Sequence, residues 1–345
     1  MLTRIRTAIT SLRKLCENGI ADWEFAVTSR ISVWMKQYPL VAYFALAFGI
    51  AWVIWIPMAA SWQGLLPFQI PAILGIILAG CAPTVSAVIL TGIESGKNGV
   101  DQLLGRFTLW RVGIHWYAFV LLSEAAIGLS AIGLIIVPGG AVELPLYLSQ
   151  WHLVLPIFLF NGLVAGLMEE FGWRGYALPR LQASRSAVSA SLIIGVLWGL
   201  WHVPMWWKDL PVEILARMLL GIACAILYTW VYNNTKGSLL MPVLYHAAGN
   251  TARGMLQLMG VLSLPYGKLS WVVSKPYLYA KLTWAGGRPF LPLGELSWVV
   301  PRHHMRRILS WVAGPFLPYA GLTWLAVITV VIVAGPAHLS RKPTS

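Results

Sequence analysis

The chain has 345 residues and a formal net charge of +13, yet only 11% of its residues are charged and 58% are hydrophobic. Soluble domains carry about 25% charged residues, so this composition, with a mean hydropathy of +0.71, excludes a soluble enzyme and indicates a polytopic membrane protein. The basic residues sit mainly between apolar runs, as topology determinants and headgroup contacts do, so the partner they imply is the lipid bilayer and not nucleic acid.

Residues 1–38 carry Arg4, Arg6, Arg13, Lys14, Arg30 and Lys36, and Leu2, Ile5, Ile9, Leu12, Cys16, Ile20 and Trp23 recur at helical spacing. That pattern predicts an amphipathic helix lying on the cytoplasmic membrane face. Residues 37–93 contain no Asp, Glu, Lys or Arg, room for two spans of roughly 20 residues each. Continuing along the chain gives an all-α fold of about eight spans, near residues 39–59, 69–92, 113–137, 152–170, 187–206, 213–232, 238–258 and 319–337. Connections after even-numbered spans hold Lys97, Arg106 and Arg111, then Arg174, Arg180 and Arg185, then Lys236, whereas those after the first and third hold no Lys or Arg. The positive-inside rule then places both termini in the cytoplasm, and a bacterial plasma membrane is the expected location. Residues 259–318 break the parity, being basic yet outside; long loops count weakly in that rule.

The same connection holds a tandem repeat. Leu-Ser/Thr-Trp recurs at 269–271, 282–284, 296–298, 309–311 and 322–324, and Pro-Phe-Leu-Pro at 289–292 and 315–318. The spacing is 13 or 14 residues; a thirteen-residue step does not return to the same helix face and an odd step flips a strand, so the repeat reads as a duplicated amphiphilic insertion without chemistry. His303 and His304 within it read as incidental. The chain thus divides into a basic leader (1–38), a core (39–258), the repeat-bearing connection (259–318) and a last span with a tail (319–345). Cys16, Cys81 and Cys224 lie far apart and have no ligand or disulfide spacing.

Three places in the core carry polar groups that a lipid environment penalises. Residues 144–168 hold no Asp, Glu, Lys or Arg, and then Glu169, Glu170 and Arg174 follow within six positions. Ionised groups at that depth persist when paired or used. Glu170 and Arg174 are four apart and face one another on a helix, leaving Glu169 about a quarter-turn away for another task. The second place is Trp198-Gly-Leu-Trp-His202 before Pro204, with Trp198 and His202 on one face. The third is His246-Ala-Ala-Gly-Asn250, where small intervening residues let another helix approach. Taken singly, each fits a buried ion pair, an interior histidine or an interhelical hydrogen bond. Together they fit hydrolysis of a carbonyl compound: a carboxylate and an imidazole to activate water, an imidazole and an amide to hold an oxyanion. Glu169, His202 and His246 are equally the candidate ligands of a zinc ion with an open position for water. Glu124 is a further buried carboxylate, to be paired with arginine or protonated, with His115 near the entry of the same span.

In order and spacing these motifs resemble EExxxR, FxxxH and HxxxN of the CAAX-processing and bacteriocin-self-protection family of intramembrane proteases, the type II CAAX prenyl endopeptidases. The resemblance covers roughly residues 150–255, with Trp198 in place of the usual Phe and the repeat-bearing insertion as a second departure. It implies an intramembrane endopeptidase acting on a peptide or membrane protein, a prenylated C-terminal peptide being the family's best-known target. By the same resemblance Glu169 with His202 activates the water, His246 with Asn250 holds the oxyanion, and Glu170 and Arg174 keep the first motif in shape. The family accommodates both a zinc-dependent and a metal-free glutamate mechanism, and both stay open here. Two rival readings keep the same residues for other ends: a non-catalytic scaffold or immunity protein, and a cation- or proton-coupled transporter.

Overall fold

The computed structural model describes residues 30–136, 151–207, 209, 211–258, 284–285, 288–289 and 316–339. The chain is all-α, as its composition predicts. After a short helical stretch at 30–37 come α1 (Pro39–Trp62), α2 (Ala72–Gly80), α3 (Ala82–Gly105), α4 (Ile114–Ile136), α5 (Trp151–Gln182), α6 (Ala187–His202), α7 (Pro211–Asn234), α8 (Leu240–Leu258) and α9 (Phe316–Leu339). A two-residue antiparallel ladder joins Trp284–Ala285 to Arg288–Pro289. The leader helix, the repeat-bearing connection apart from these short pieces, and His303 and His304 lie outside the described residues.

Six helices among the described residues are long and apolar enough to cross a membrane: Pro39–Trp62, Ala72–Thr108, Ile114–Leu134, Trp151–Gln182, Ala187–Trp206 and Glu213–Asn234. The expected count of eight is not confirmed among the described residues. The seventh expected span is a helix, α8, but His246, Asn250 and Arg253 dilute its apolar character; the eighth is α9, whose apolar stretch is the shorter Pro318–Val333. The chain is an integral membrane protein.

A second difference concerns α5. The span expected to end at 170 continues to Gln182, so Arg174 is a fully buried residue inside a helix and not a charge in a connection. Two π-helical stretches, Gly162–Leu167 and Phe171–Ala177, widen α5 on either side of the α-helical turn Met168–Glu170. Such turns recur at functional sites because they re-aim side chains. Neighbouring helices hold α5 tightly there. A Cβ at Gly166 would lie 2.8 Å from the Val243 carbonyl oxygen of α8, and one at Gly172 would collide with the Tyr43 hydroxyl of α1 and the Pro83 backbone of α3.

Tryptophan N–H groups lock α6 to α1. Trp201 donates to the Ala47 carbonyl at 3.1 Å and Trp52 to the Trp201 carbonyl at 3.0 Å. In hydrocarbon such donors have no water to fall back on, so each pairing fixes a helix register. The far end of α5 is tied to α3 through Glu94, which accepts from both Tyr176 and Arg180. Arg106 fastens the turn after α3 to the Gly175 carbonyl at 3.2 Å and to the Tyr232 hydroxyl at 2.9 Å.

Candidate active site

The widened geometry of α5 sends its two adjacent carboxylates to different partners. Glu169 meets α6: its Oε2 accepts the indole N–H of Trp198 at 2.6 Å. Glu170 meets α8: its Oε1 lies 2.8 Å from Nδ1 of His246. Both carboxylates are buried, Glu170 completely.

Glu170 also holds Arg174, with Nη1 3.1 Å from Oε1 and 3.0 Å from Oε2. This is the pairing that the four-residue spacing predicts. The guanidinium's Nε and Nη2 have no hydrogen-bond acceptor among the described residues. Instead the cation lies over two aromatic faces, 4.9 Å from the ring centre of Tyr228 and 5.4 Å from that of Trp198. A desolvated cation gains about 2 kcal/mol from such a face. Arg174, Glu170 and His246 thus form one buried polar chain linking α5 to α8.

His202 is the last residue of α6, where Pro204 converts the helix into the 3-10 turn Val203–Trp206. Its Nδ1 is 2.8 Å from the Trp198 carbonyl oxygen. A carbonyl only accepts, so Nδ1 carries the proton and, in the neutral ring, Nε2 is left with its lone pair. Trp206 stacks on the imidazole at 5.3 Å with an interplanar angle of 6°, and Trp55 stacks at 5.9 Å. The same logic applies to His246: with Nδ1–H donated to the Glu170 carboxylate, Nε2 is the nitrogen free to act.

Trp198 is the hub. Its indole N–H binds Glu169, its carbonyl fixes His202, its ring lies 5.8 Å from the His202 ring and 5.3 Å from the His246 ring, and Arg174 sits against its face. The tryptophan that departs from the family's phenylalanine therefore supplies a donor that a phenylalanine lacks. A cavity of about 130 Å³ opens beside this hub, lined by Trp198, His202, Trp206, Arg217 and Arg253 among others.

Asn250 stands one turn beyond His246 on α8, but its direct partner is a residue that sequence reasoning did not single out. Its Oδ1 accepts from Arg253 Nη2 at 2.6 Å. Arg253 Nη1 in turn donates to the Tyr319 hydroxyl of α9 at 3.3 Å, and that hydroxyl donates to Glu124 Oε2 of α4. The buried Glu124 is thereby connected to the third motif. His115 is exposed and lies against Trp116, away from this network. The one signal for Arg253 in the sequence is that it is the sole Lys or Arg within Leu240–Leu258.

The zinc expectation meets a geometric test. Among the described residues no three His, Cys, Asp or Glu side chains are grouped to hold a metal ion. Glu169 Oε2 and His246 Nδ1 are engaged by Trp198 and Glu170. As placed, these side chains are not grouped as a ligand set, and no chemical step below passes through a metal.

Residues 150–252 match the family model described as type II CAAX prenyl endopeptidase Rce1-like. Over 240 residues, 64% of this chain and 86% of the relative, the chain is 24% identical to a CAAX prenyl protease 2 of Methanococcus maripaludis. The matched segment contains all three motifs. The resemblance read from their order and spacing is borne out by both comparisons.

Proposed function

We propose that this protein is an intramembrane endopeptidase that hydrolyses a peptide bond near the C-terminus of a prenylated peptide or protein, with its site opening toward the cytoplasmic side of a bacterial plasma membrane and both termini in the cytoplasm. The observation that carries the reading is the gathering of Glu169, His202 and His246, from three different helices, around the single residue Trp198. Its similarity to the endopeptidase family supports the substrate class.

In this reading Glu169 is the general base. Trp198 occupies Oε2, so Oε1 is the oxygen that takes a proton from water. The lone pair on His202 Nε2 orients the second water hydrogen. The resulting hydroxide attacks the scissile carbonyl carbon, and the oxyanion forms within reach of α8. His246 takes part in its doubly protonated form, which it keeps throughout the cycle: Nδ1–H is held by the Glu170 carboxylate and Nε2–H donates to the oxyanion. Asn250 donates from its amide nitrogen. Collapse of the tetrahedral intermediate breaks the C–N bond, and the proton held by Glu169 passes to the leaving amine.

The test is direct. Purified protein in detergent is incubated with a C-terminal peptide carrying a prenylated cysteine, and products are identified by mass. Release of the C-terminal fragment, with the unprenylated peptide cleaved far more slowly, is the expected result. Equal cleavage of both peptides contradicts the substrate class, and cleavage of neither contradicts the hydrolase reading.

A further inference from the structure

Resting on the hydrolase reading just given, we propose that Arg253 is a positioning residue: its guanidinium holds the amide oxygen of Asn250 so that the amide N–H groups face the reacting carbonyl. Arg253 belongs to none of the three motifs, and neither do the two groups that hold it.

An arginine has donors only, so the Asn250 atom 2.6 Å from its Nη2 has to be the amide oxygen. With the oxygen committed, the NH2 group is turned to the opposite side of the amide. An oxyanion-stabilising asparagine must present donors, and an amide free to flip would present its oxygen for part of the time and repel the developing charge.

A guanidinium that orients another group has to be held itself. Arg253 Nη1 donates to the Tyr319 hydroxyl, and Tyr319 donates to the fully buried Glu124. These two partners come from α9 and α4, so three helices fix one side chain. Gly249 makes room for the arrangement: a Cβ there would lie 3.2 Å from Arg253 Nη1 and 3.4 Å from the Glu124 carboxyl carbon. Arg253 also lines the same cavity as Trp198 and His202. The chain Glu124–Tyr319–Arg253–Asn250 therefore mirrors Arg174–Glu170–His246, each ending on one of the two groups assigned to the oxyanion.

The experiment is a double-mutant cycle on the full-length protein, with kcat and KM measured on the prenylated peptide for wild type, Arg253→Met, Asn250→Ala and the double variant. Arg253→Met is expected to lower kcat about ten- to hundredfold through a misplaced amide and to leave KM within about twofold. In the Asn250→Ala background the same change is expected to have no further effect, because the group it serves is gone. Independent, multiplying losses overturn the proposal, and so does a rise in KM with kcat preserved, which assigns Arg253 to substrate binding. If Arg253→Met does not fold, Tyr319→Phe removes a single oxygen and carries the same test with a smaller expected loss, again confined to proteins that retain Asn250. An inactive wild type overturns the hydrolase reading together with this one, whereas an active wild type with additive losses overturns this one alone.

Discussion

Glu169→Gln separates chemistry from architecture at the residue assigned the central task. Glutamine has nearly the same shape, and its amide oxygen can still accept the Trp198 indole N–H that Oε2 accepts at 2.6 Å. What disappears is the basic oxygen. Loss of a general base costs about 10²–10⁴ in rate, equivalent to about 2.7–5.4 kcal/mol of activation free energy at about 1.36 kcal/mol per decade. The effect on folding is smaller and of mixed sign. A charge-assisted hydrogen bond becomes a neutral one, a loss of about 1 kcal/mol, while the cost of burying a carboxylate is removed. The variant should therefore keep its expression level and melt within a few degrees of the parent in detergent while turning over at about 1% of the parental kcat or less. The assay is product quantification by mass from purified protein, with thermal melting of the same preparation. A variant that melts normally and retains more than about a tenth of the parental turnover refutes the role given to Glu169.

Three other perturbations probe separate parts of the account. Trp198→Phe keeps a ring against both histidines but leaves Glu169 Oε2 without its donor, so kcat should fall about tenfold, the equivalent of about 1.4 kcal/mol, with KM little changed; kinetics indistinguishable from wild type argue against the tether. Gly172→Ala drives a methyl group into the Tyr43 hydroxyl and the Pro83 backbone, and overpacking of this kind costs about 1–3 kcal/mol, read as a lower melting temperature in detergent; an unchanged melt contradicts the close approach of α5 to α1 and α3. Chelator treatment of active protein should leave turnover intact and elemental analysis should find less than stoichiometric zinc, because the candidate ligands are not grouped; loss of activity restored by zinc would contradict that.

Periodicity within one helix was readable in the chain; pairing between helices was not. The Glu170–Arg174 contact follows from a spacing of four, and so does the placement of Trp198 and His202 on one face. The pairing of Glu170 with His246 joins residues 76 positions apart, and no local pattern encodes which of two adjacent carboxylates faces which helix. That choice depends on the π-helical stretches flanking Met168–Glu170, which arise where glycines let α8, α1 and α3 press on α5. The expectation that Arg174 marks a connection erred for a related reason: a charge was read as the end of a span, whereas Glu170 and two aromatic faces make it tolerable inside one. Arg253 and Tyr319 went unnoticed because each looks ordinary alone, a single cation in a mixed helix and a tyrosine at the start of α9. Their role exists only through the buried Glu124 and through Asn250, which lie on other turns and helices.

The claim beneath all of this is that a water molecule activated by Glu169 attacks the scissile carbonyl directly. A single turnover in ¹⁸O-labelled water, followed by mass analysis of both the peptide product and the tryptic fragment containing Glu169, tests it. The account predicts one ¹⁸O atom in the new carboxylate of the product and none in Glu169. Label in Glu169 with an unlabelled product would show that the carboxylate attacks as a nucleophile, and would contradict the mechanism.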